Sequence, residues 1–345
     1  MKKILLLLFL TLTILGHSQT DEKAYEQMLE SEMKSASSIM NLAVNPNTLN
    51  YNLTYQKLEF TVDPIILYVS GKVTSTFTAL SNMNTVTFDL YKKSTNPFTI
   101  TSVKINNVTA TYSYNSTHEI VINLPATLTM GQVATSEIIY DGVPSTAEQA
   151  FSVGSHAGTP VLWTLSEPYG ARDWWPCKQD LNDKVELTDI YITAPIEYSS
   201  VANGLQQSRI ENGSLATTYF RHNYPIPAYL IAIAVTNYQI FNQQGGLGIV
   251  GNPFFPIVNY LYPEEATTSQ ASLAVTPNII NFFETKIGPY PYRNEKYGHA
   301  RAELNGGMEH ATVSFMRSWG RDLIAHEMAH QWFGDKITCG TWKDI

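Results

Sequence analysis

The sequence predicts two domains in series: an antiparallel β domain over about residues 45–237, then an α+β domain from residue 238 to residue 345. Three observations carry this reading. At roughly 100–200 residues per domain, 345 residues suggest about two cores. From Tyr51 onward, apolar residues alternate with polar ones at the period of half-buried strands. After Asn237 that alternation gives way to helical spacing.

The strands are legible one by one. Leu58-Phe60-Val62, Val86-Phe88-Leu90 and Ile120-Ile122-Leu124 each present one apolar face. Asn96-Pro97, Asn106-Asn107 and Pro125 punctuate them, and Val185–Ala194 and Tyr229–Tyr238 continue the β texture. In the second domain, Thr276-Pro277 is a helix start with Ile279, Ile280, Phe283 and Ile287 on one face and Gly288 as the stop. A second helix is predicted from about Trp319 to Phe333, with Gly334 on its C-terminal side.

Composition narrows the function classes. With 22 Lys+Arg against 30 Asp+Glu, the formal charge is −8, which argues against a nucleic-acid partner. Two cysteines, Cys177 and Cys339, cannot staple a chain of this length; a disulfide between them is one reading in an exported protein, and two separately buried thiols are the expected one. Lys2-Lys3, the apolar run Ile4–Leu15 and Gly16-His17-Ser18 make the three-part pattern of a signal peptide over residues 1–18. The run is shorter than the roughly 20 residues a spanning helix needs, so the mature protein is expected to be exported, periplasmic or extracellular, with no membrane partner. Residues 19–44 read as an acidic linker or helix. Nothing in the sequence bears on oligomeric state.

The chemistry concentrates near the end. His326-Glu327-Met328-Ala329-His330 fits H-E-x-x-H, which on a helix places two imidazoles on one face with a carboxylate beside them. Two such ligands suit Zn2+, which lowers the pKa of water, while Glu327 serves as the base. An amphipathic core helix with two satisfied histidines has the same spacing, and Leu323 and Phe333 share that face. Upstream, Gly306-Gly307-Met308-Glu309-His310 combines a backbone that permits close approach with a carboxylate. A plain Gly-Gly turn with a surface glutamate would read identically.

Together these stretches resemble the zinc aminopeptidase family that includes aminopeptidase N and the leukotriene-hydrolase aminopeptidases, peptidase family M1 of the gluzincins. Its members carry G-x-M-E-N, then H-E-x-x-H, then W-F-G followed by Asn or Asp; here the last run is Trp332-Phe333-Gly334-Asp335. Gly288-Pro289-Tyr290-Pro291-Tyr292 and Lys296-Tyr297-Gly298 are similar to the family's approach to its exopeptidase motif. Glu167-Pro168, Ala171-Arg172 and Pro176-Cys177 are similar to a motif of its β domain. The resemblance implies a saddle-like β domain followed by a truncated thermolysin-like catalytic domain. It implies His326 and His330 as zinc ligands and Glu327 as the catalytic base. Glu309, helped by Glu167, would bind the α-amine of peptides with a free N-terminus, and Gly306, Gly307 and Met308 would line the substrate.

The match departs from the family pattern in three places. His310 stands where Asn is usual, which would change how the loop is held or add a titratable group there. Leu165 stands where many members have Gln, so first-residue preference does not transfer. The family's third zinc ligand, a Glu, and its transition-state Tyr would fall beyond Ile345. The chain is therefore expected to be the front portion of a longer protein, weakly active or inactive alone. Two other readings stand beside the aminopeptidase: a catalytically silent peptide- or protein-binding homologue, and a related zinc hydrolase with a non-peptide substrate such as an epoxide.

Overall fold

The computed structural model describes residues 44–342. The expected signal peptide, nearly all of the linker and the last three residues lie outside them.

The alternating segments pair into one large sheet of eight strands. In spatial order these are Leu205–Asn212, Leu215–His222, Leu187–Pro195, Tyr51–Val62, Val69–Ala79, Val133–Gly142, Thr99–Ile105 and Val108–Thr109. Pairing is antiparallel except between Tyr51–Val62 and Leu187–Pro195, which run parallel with Leu58 opposite Ile190. That one parallel pair is a departure from the purely antiparallel domain expected. The alternation of apolar residues reports which side of a strand is buried and is blind to the neighbour's direction.

Two smaller sheets complete the β domain. One orders Ser199–Ala202, Ile233–Thr236, Thr159–Thr164 and Phe151–His156; the other orders Met83–Asp89, Glu119–Leu128 and Tyr112–Tyr114. A core centred on Trp174 and Trp175, both fully buried, packs against the large sheet. Phe60 sits 4.9 Å from the Trp174 ring, and the Tyr140 hydroxyl donates 2.7 Å to the Trp174 carbonyl. Gly71 is required there, because a β-carbon would overlap the Tyr140 ring. Cys177 is buried in this core, and neither it nor Cys339 forms a disulfide.

The second half carries a five-stranded mixed sheet, ordered Gln239–Gly245, Phe255–Leu261, Tyr297–Arg301, Ser314–Met316 and Gly307–Met308. Helices Ala266–Leu273, Thr276–Lys286 and Arg321–Ala329 accompany it. A β-rich first part followed by a mixed sheet with helices is the fold class the sequence predicted.

The last helix is shorter than expected at both ends. Gly320 caps it in an extended conformation, and after Ala329 the backbone tightens into turns in which Trp332 N–H donates to Ala329 and Asp335 N–H to His330. Its second histidine is therefore the C-cap. Helical spacing cannot reveal this stop, because the turn residues Trp332 and Phe333 keep the apolar pattern running past it.

Candidate metal centre

The helix Arg321–Ala329 divides its faces by burial. Ile324 and Met328 are fully buried, whereas His326 and His330 lie half-buried on another side. Their Nε2 atoms stand 3.1 Å apart, with the rings at 83°. Two nitrogens on one tetrahedral zinc, each at about 2.0–2.1 Å, are separated by about 3.4 Å. The pair thus converges on a single point at ligand spacing, which fits zinc.

A carbonyl sets the chemistry of the second imidazole. His330 Nδ1 lies 3.1 Å from the Phe333 carbonyl, which can only accept. The neutral ring therefore carries its proton on Nδ1 and offers a bare lone pair at Nε2. Among the described residues, no third His, Cys, Asp or Glu completes a metal-binding group.

Glu327 is buried at 2% exposure between this helix and the strand Gly307–Met308. The two are so close that a β-carbon on Gly307 would overlap the Glu327 carboxyl. Gly306 precedes it at φ +73, a left-handed conformation that favours glycine. Met308 points into the core at 2% exposure, and Glu309 is 7% exposed. The glycine pair, the glutamate that follows and the H-E-x-x-H helix are thus brought into one place.

Glu167 arrives from the β domain, half-buried and joined to Pro168 by a cis peptide bond. Its position is read through Asp335 and Tyr229. Burial pushes the fully buried Asp335 carboxyl well above the usual range, and Glu309, Glu327 and Glu167 push it the same way while Lys184 opposes. Burial, then Glu309, Asp335 and Glu167, raise the Tyr229 hydroxyl. One electrostatic neighbourhood therefore holds all three glutamates singled out in the sequence. Sequence reasoning gives neither Asp335 nor Tyr229 a role: Asp335 enters only as the last residue of the Trp332-Phe333-Gly334-Asp335 run, and Tyr229 only as part of a β segment.

His310 is fully buried, edge-on to Phe315 at 4.5 Å, and neither ring nitrogen has a hydrogen-bond partner among the described residues. Burial pushes its pKa down to about 3. It stays neutral at physiological pH, so of the two consequences considered for this departure, an added charge near Glu309 is not one. Leu165 is half-buried.

Comparison with known proteins agrees with this layout. Residues 47–230 match the peptidase M1 N-terminal domain, and residues 271–345 match the peptidase family M1 domain. The chain is 24% identical to human glutamyl aminopeptidase over 210 residues, covering 54% of this chain and 20% of that protein. It is 26% identical to leukotriene A-4 hydrolase of Xenopus laevis over 323 residues, covering 87% of this chain and 50% of that protein. Among solved structures, an M1 zinc metallopeptidase from Deinococcus radiodurans superposes with a TM-score of 0.69 at 24% identity. That match covers 85% of this chain and 66% of the other, and at this identity it speaks for the fold. The chain spans a fifth to a half of the length of these curated relatives. With more than half of its length matched by the N-terminal model alone, the chain belongs to peptidase family M1.

Proposed function

We propose that this chain carries the zinc-binding helix and the amine-binding loop of an aminopeptidase that removes N-terminal residues from peptides. The observation that carries the reading is the stack of three groups. The converging His326 and His330 nitrogens lie on the same helix as Glu327, and Glu327 lies against the backbone of Gly307. A base is thereby held between a metal-ligand pair and a strand able to line a substrate.

His326 and His330 would hold zinc, which when bound supplies Lewis acidity and a water acidic enough to attack at neutral pH. Glu327 accepts the proton of the attacking water and passes it to the departing amine. Glu309 and Glu167 hold the α-ammonium, because carboxylates in a poorly solvated site bind a cation by charge-assisted hydrogen bonds. That grip fixes which peptide bond reaches the base. The names of the relatives, glutamyl aminopeptidase and leukotriene A-4 hydrolase, support hydrolysis and leave the first-residue preference of this protein open to assay. We place the domain boundary near residues 237 and 238, between the strands Ile233–Thr236 and Gln239–Gly245. Export rests on the pattern of residues 1–18; among the described residues no helix is long and apolar enough to cross a membrane.

The test is release of p-nitroaniline from amino-acid p-nitroanilides by the protein carrying this chain, with and without a chelator. Chelator-sensitive release that disappears in Glu327→Gln supports the reading. Release that survives that substitution would sink it.

A further inference from the structure

An aminopeptidase has a strict geometric problem. The distance from the α-nitrogen to the scissile carbonyl is the same in every peptide, so the distance from the amine site to the metal ligands must be held constant. The metal ligands lie on a helix and Glu309 on a loop, and in the sheet only the two-residue strand Gly307–Met308 stands before that loop. One tie between loop and helix runs through a side chain with no assigned role.

We infer that Gln331, the residue immediately after His330, is a positioning residue that sets the spacing between the amine-binding glutamate and the metal pair. The inference rests on the amine-binding reading of Glu309. Gln331 is fully buried, and its amide reaches back across the fold to the loop on both sides of His310. Its Nε2 donates 2.7 Å to the Glu309 carbonyl and 3.5 Å to the His310 carbonyl. Its Oε1 accepts the Thr312 N–H at 2.8 Å and the Tyr290 hydroxyl at 3.3 Å. The amide orientation follows from the partners: reversed, an NH2 would face the Thr312 N–H and an oxygen would face two carbonyls.

Other bonds fasten the loop to the β domain and to Lys296, and Gln331 ties it to the end of the metal helix. Asn203 Nδ2 donates 2.9 Å to the Ala311 carbonyl, and Gly204 N–H donates 2.8 Å to Thr312 Oγ1. Thr312 itself sits at φ +69, a left-handed conformation costly for a β-branched residue. A strained residue persists only when its surroundings over-determine it, and the Gln331 carbonyl is one of the groups that do so. Glutamine suits the task because one planar group offers a donor edge and an acceptor edge to a backbone that presents both. An apolar residue of equal size would fill the space and leave the Glu309 carbonyl without this bond.

The test uses Gln331→Met, which keeps the volume and removes the amide, and Gln331→Glu, which keeps an acceptor for Thr312 and removes the donor to Glu309. Binding of L-leucinol, which has a free amine and no scissile bond, is compared with that of N-acetyl-L-leucinol by ligand-observed NMR titration. Zinc stoichiometry is measured alongside. The expected result is an affinity for L-leucinol lower by about tenfold in both variants, with the acetylated probe unaffected and zinc retained. In turnover, KM for an aminoacyl p-nitroanilide should rise by about tenfold while kcat stays within about twofold. If Gln331→Met fails to fold, Gln331→Glu alone carries the comparison. A parent protein that discriminates the two probes, with variants that discriminate equally well, overturns this inference alone. Loss of zinc together with loss of discrimination also overturns it, since the side chain would then serve only the helix end. A parent that binds both probes equally overturns the amine-site reading and this inference with it.

Discussion

The backbone of Gly307 lies against the carboxylate of Glu327 with no room for a β-carbon between them. A glycine in a loop motif and a glutamate in a helix motif therefore form one surface, and its consequences can be measured.

Gly307→Ala should displace the Glu327 carboxyl, because the helix backbone behind it cannot retreat. Overpacking of this kind costs about 1–3 kcal/mol of stability. The larger effect should fall on kcat, by about a hundredfold, since a misplaced base loses most of its contribution. Zinc content should be unchanged, because His326 and His330 are not the residues displaced. Normal kcat in a folded Gly307→Ala protein would show that the close approach has no catalytic role.

Glu309→Ala should remove the grip on the α-ammonium. A charge-assisted hydrogen bond to a buried carboxylate is worth about 1.5–3 kcal/mol, or about ten- to a hundredfold in affinity. Preference for free-amine over N-acetylated substrates should fall by that factor, with zinc retained. An unchanged preference would remove Glu309 from the amine site.

The seam between the two halves carries a buried histidine–carboxylate contact in which the carboxylate's response to pH can be assigned a sign. His222 Nδ1 stands 2.7 Å from Glu295 Oε2, and Asn223 N–H donates 2.6 Å to Glu295 Oε1. Burial alone would raise the Glu295 pKa, but the His222 charge and the bonds from His222 and Asn223 outweigh it and hold it below the usual range. A depressed carboxylate stabilises the fold above its unfolded value of about 4.3, and that contribution is lost as pH falls through the folded value. Glu295→Ala should cost about 3 kcal/mol near pH 7 in urea unfolding, and the difference from the parent should shrink below about pH 4. A difference that does not change with pH would point to lost packing.

Lys296 predicts a rise of the same sign in a higher pH window. Burial pushes its pKa down to about 7, although its Nζ donates 3.2 Å to the Ala202 carbonyl and 3.3 Å to Thr312 Oγ1. Between about pH 7 and its unfolded value near 10.4, the unfolded chain binds more protons than the folded one. Stability should therefore rise with pH across that window, by up to about 1.4 kcal/mol per pH unit. Lys296→Met should flatten the rise, as read from urea unfolding at pH 7, 8 and 9. An unchanged slope would assign the rise to other groups.

Much of the site was legible because it is local. His326, Glu327 and His330 fall on adjoining faces of a helix by spacing alone, and the alternation from Tyr51 onward marked the strands. What spacing could not reveal was where the helix stops, since Trp332 and Phe333 keep its apolar pattern while their backbone has already turned. The parallel pairing of Tyr51–Val62 with Leu187–Pro195 was hidden for a similar reason, because burial of one face is indifferent to strand direction.

The sequence by itself therefore determined the family and singled out the proposed metal ligands and base, all of which depend on residues within a helical turn or a short motif. Only the tertiary structure decided that Gln331 faces the Glu309 loop and that Asp335 lies among three glutamates. It also decided that His310 is a neutral core residue. The bond from Gln331 to the Glu309 carbonyl spans 22 residues, and Glu167 reaches Asp335 from the other half of the chain. These relationships follow from how whole elements pack, and the many small burial energies that decide packing leave no mark on the spacing of any one motif.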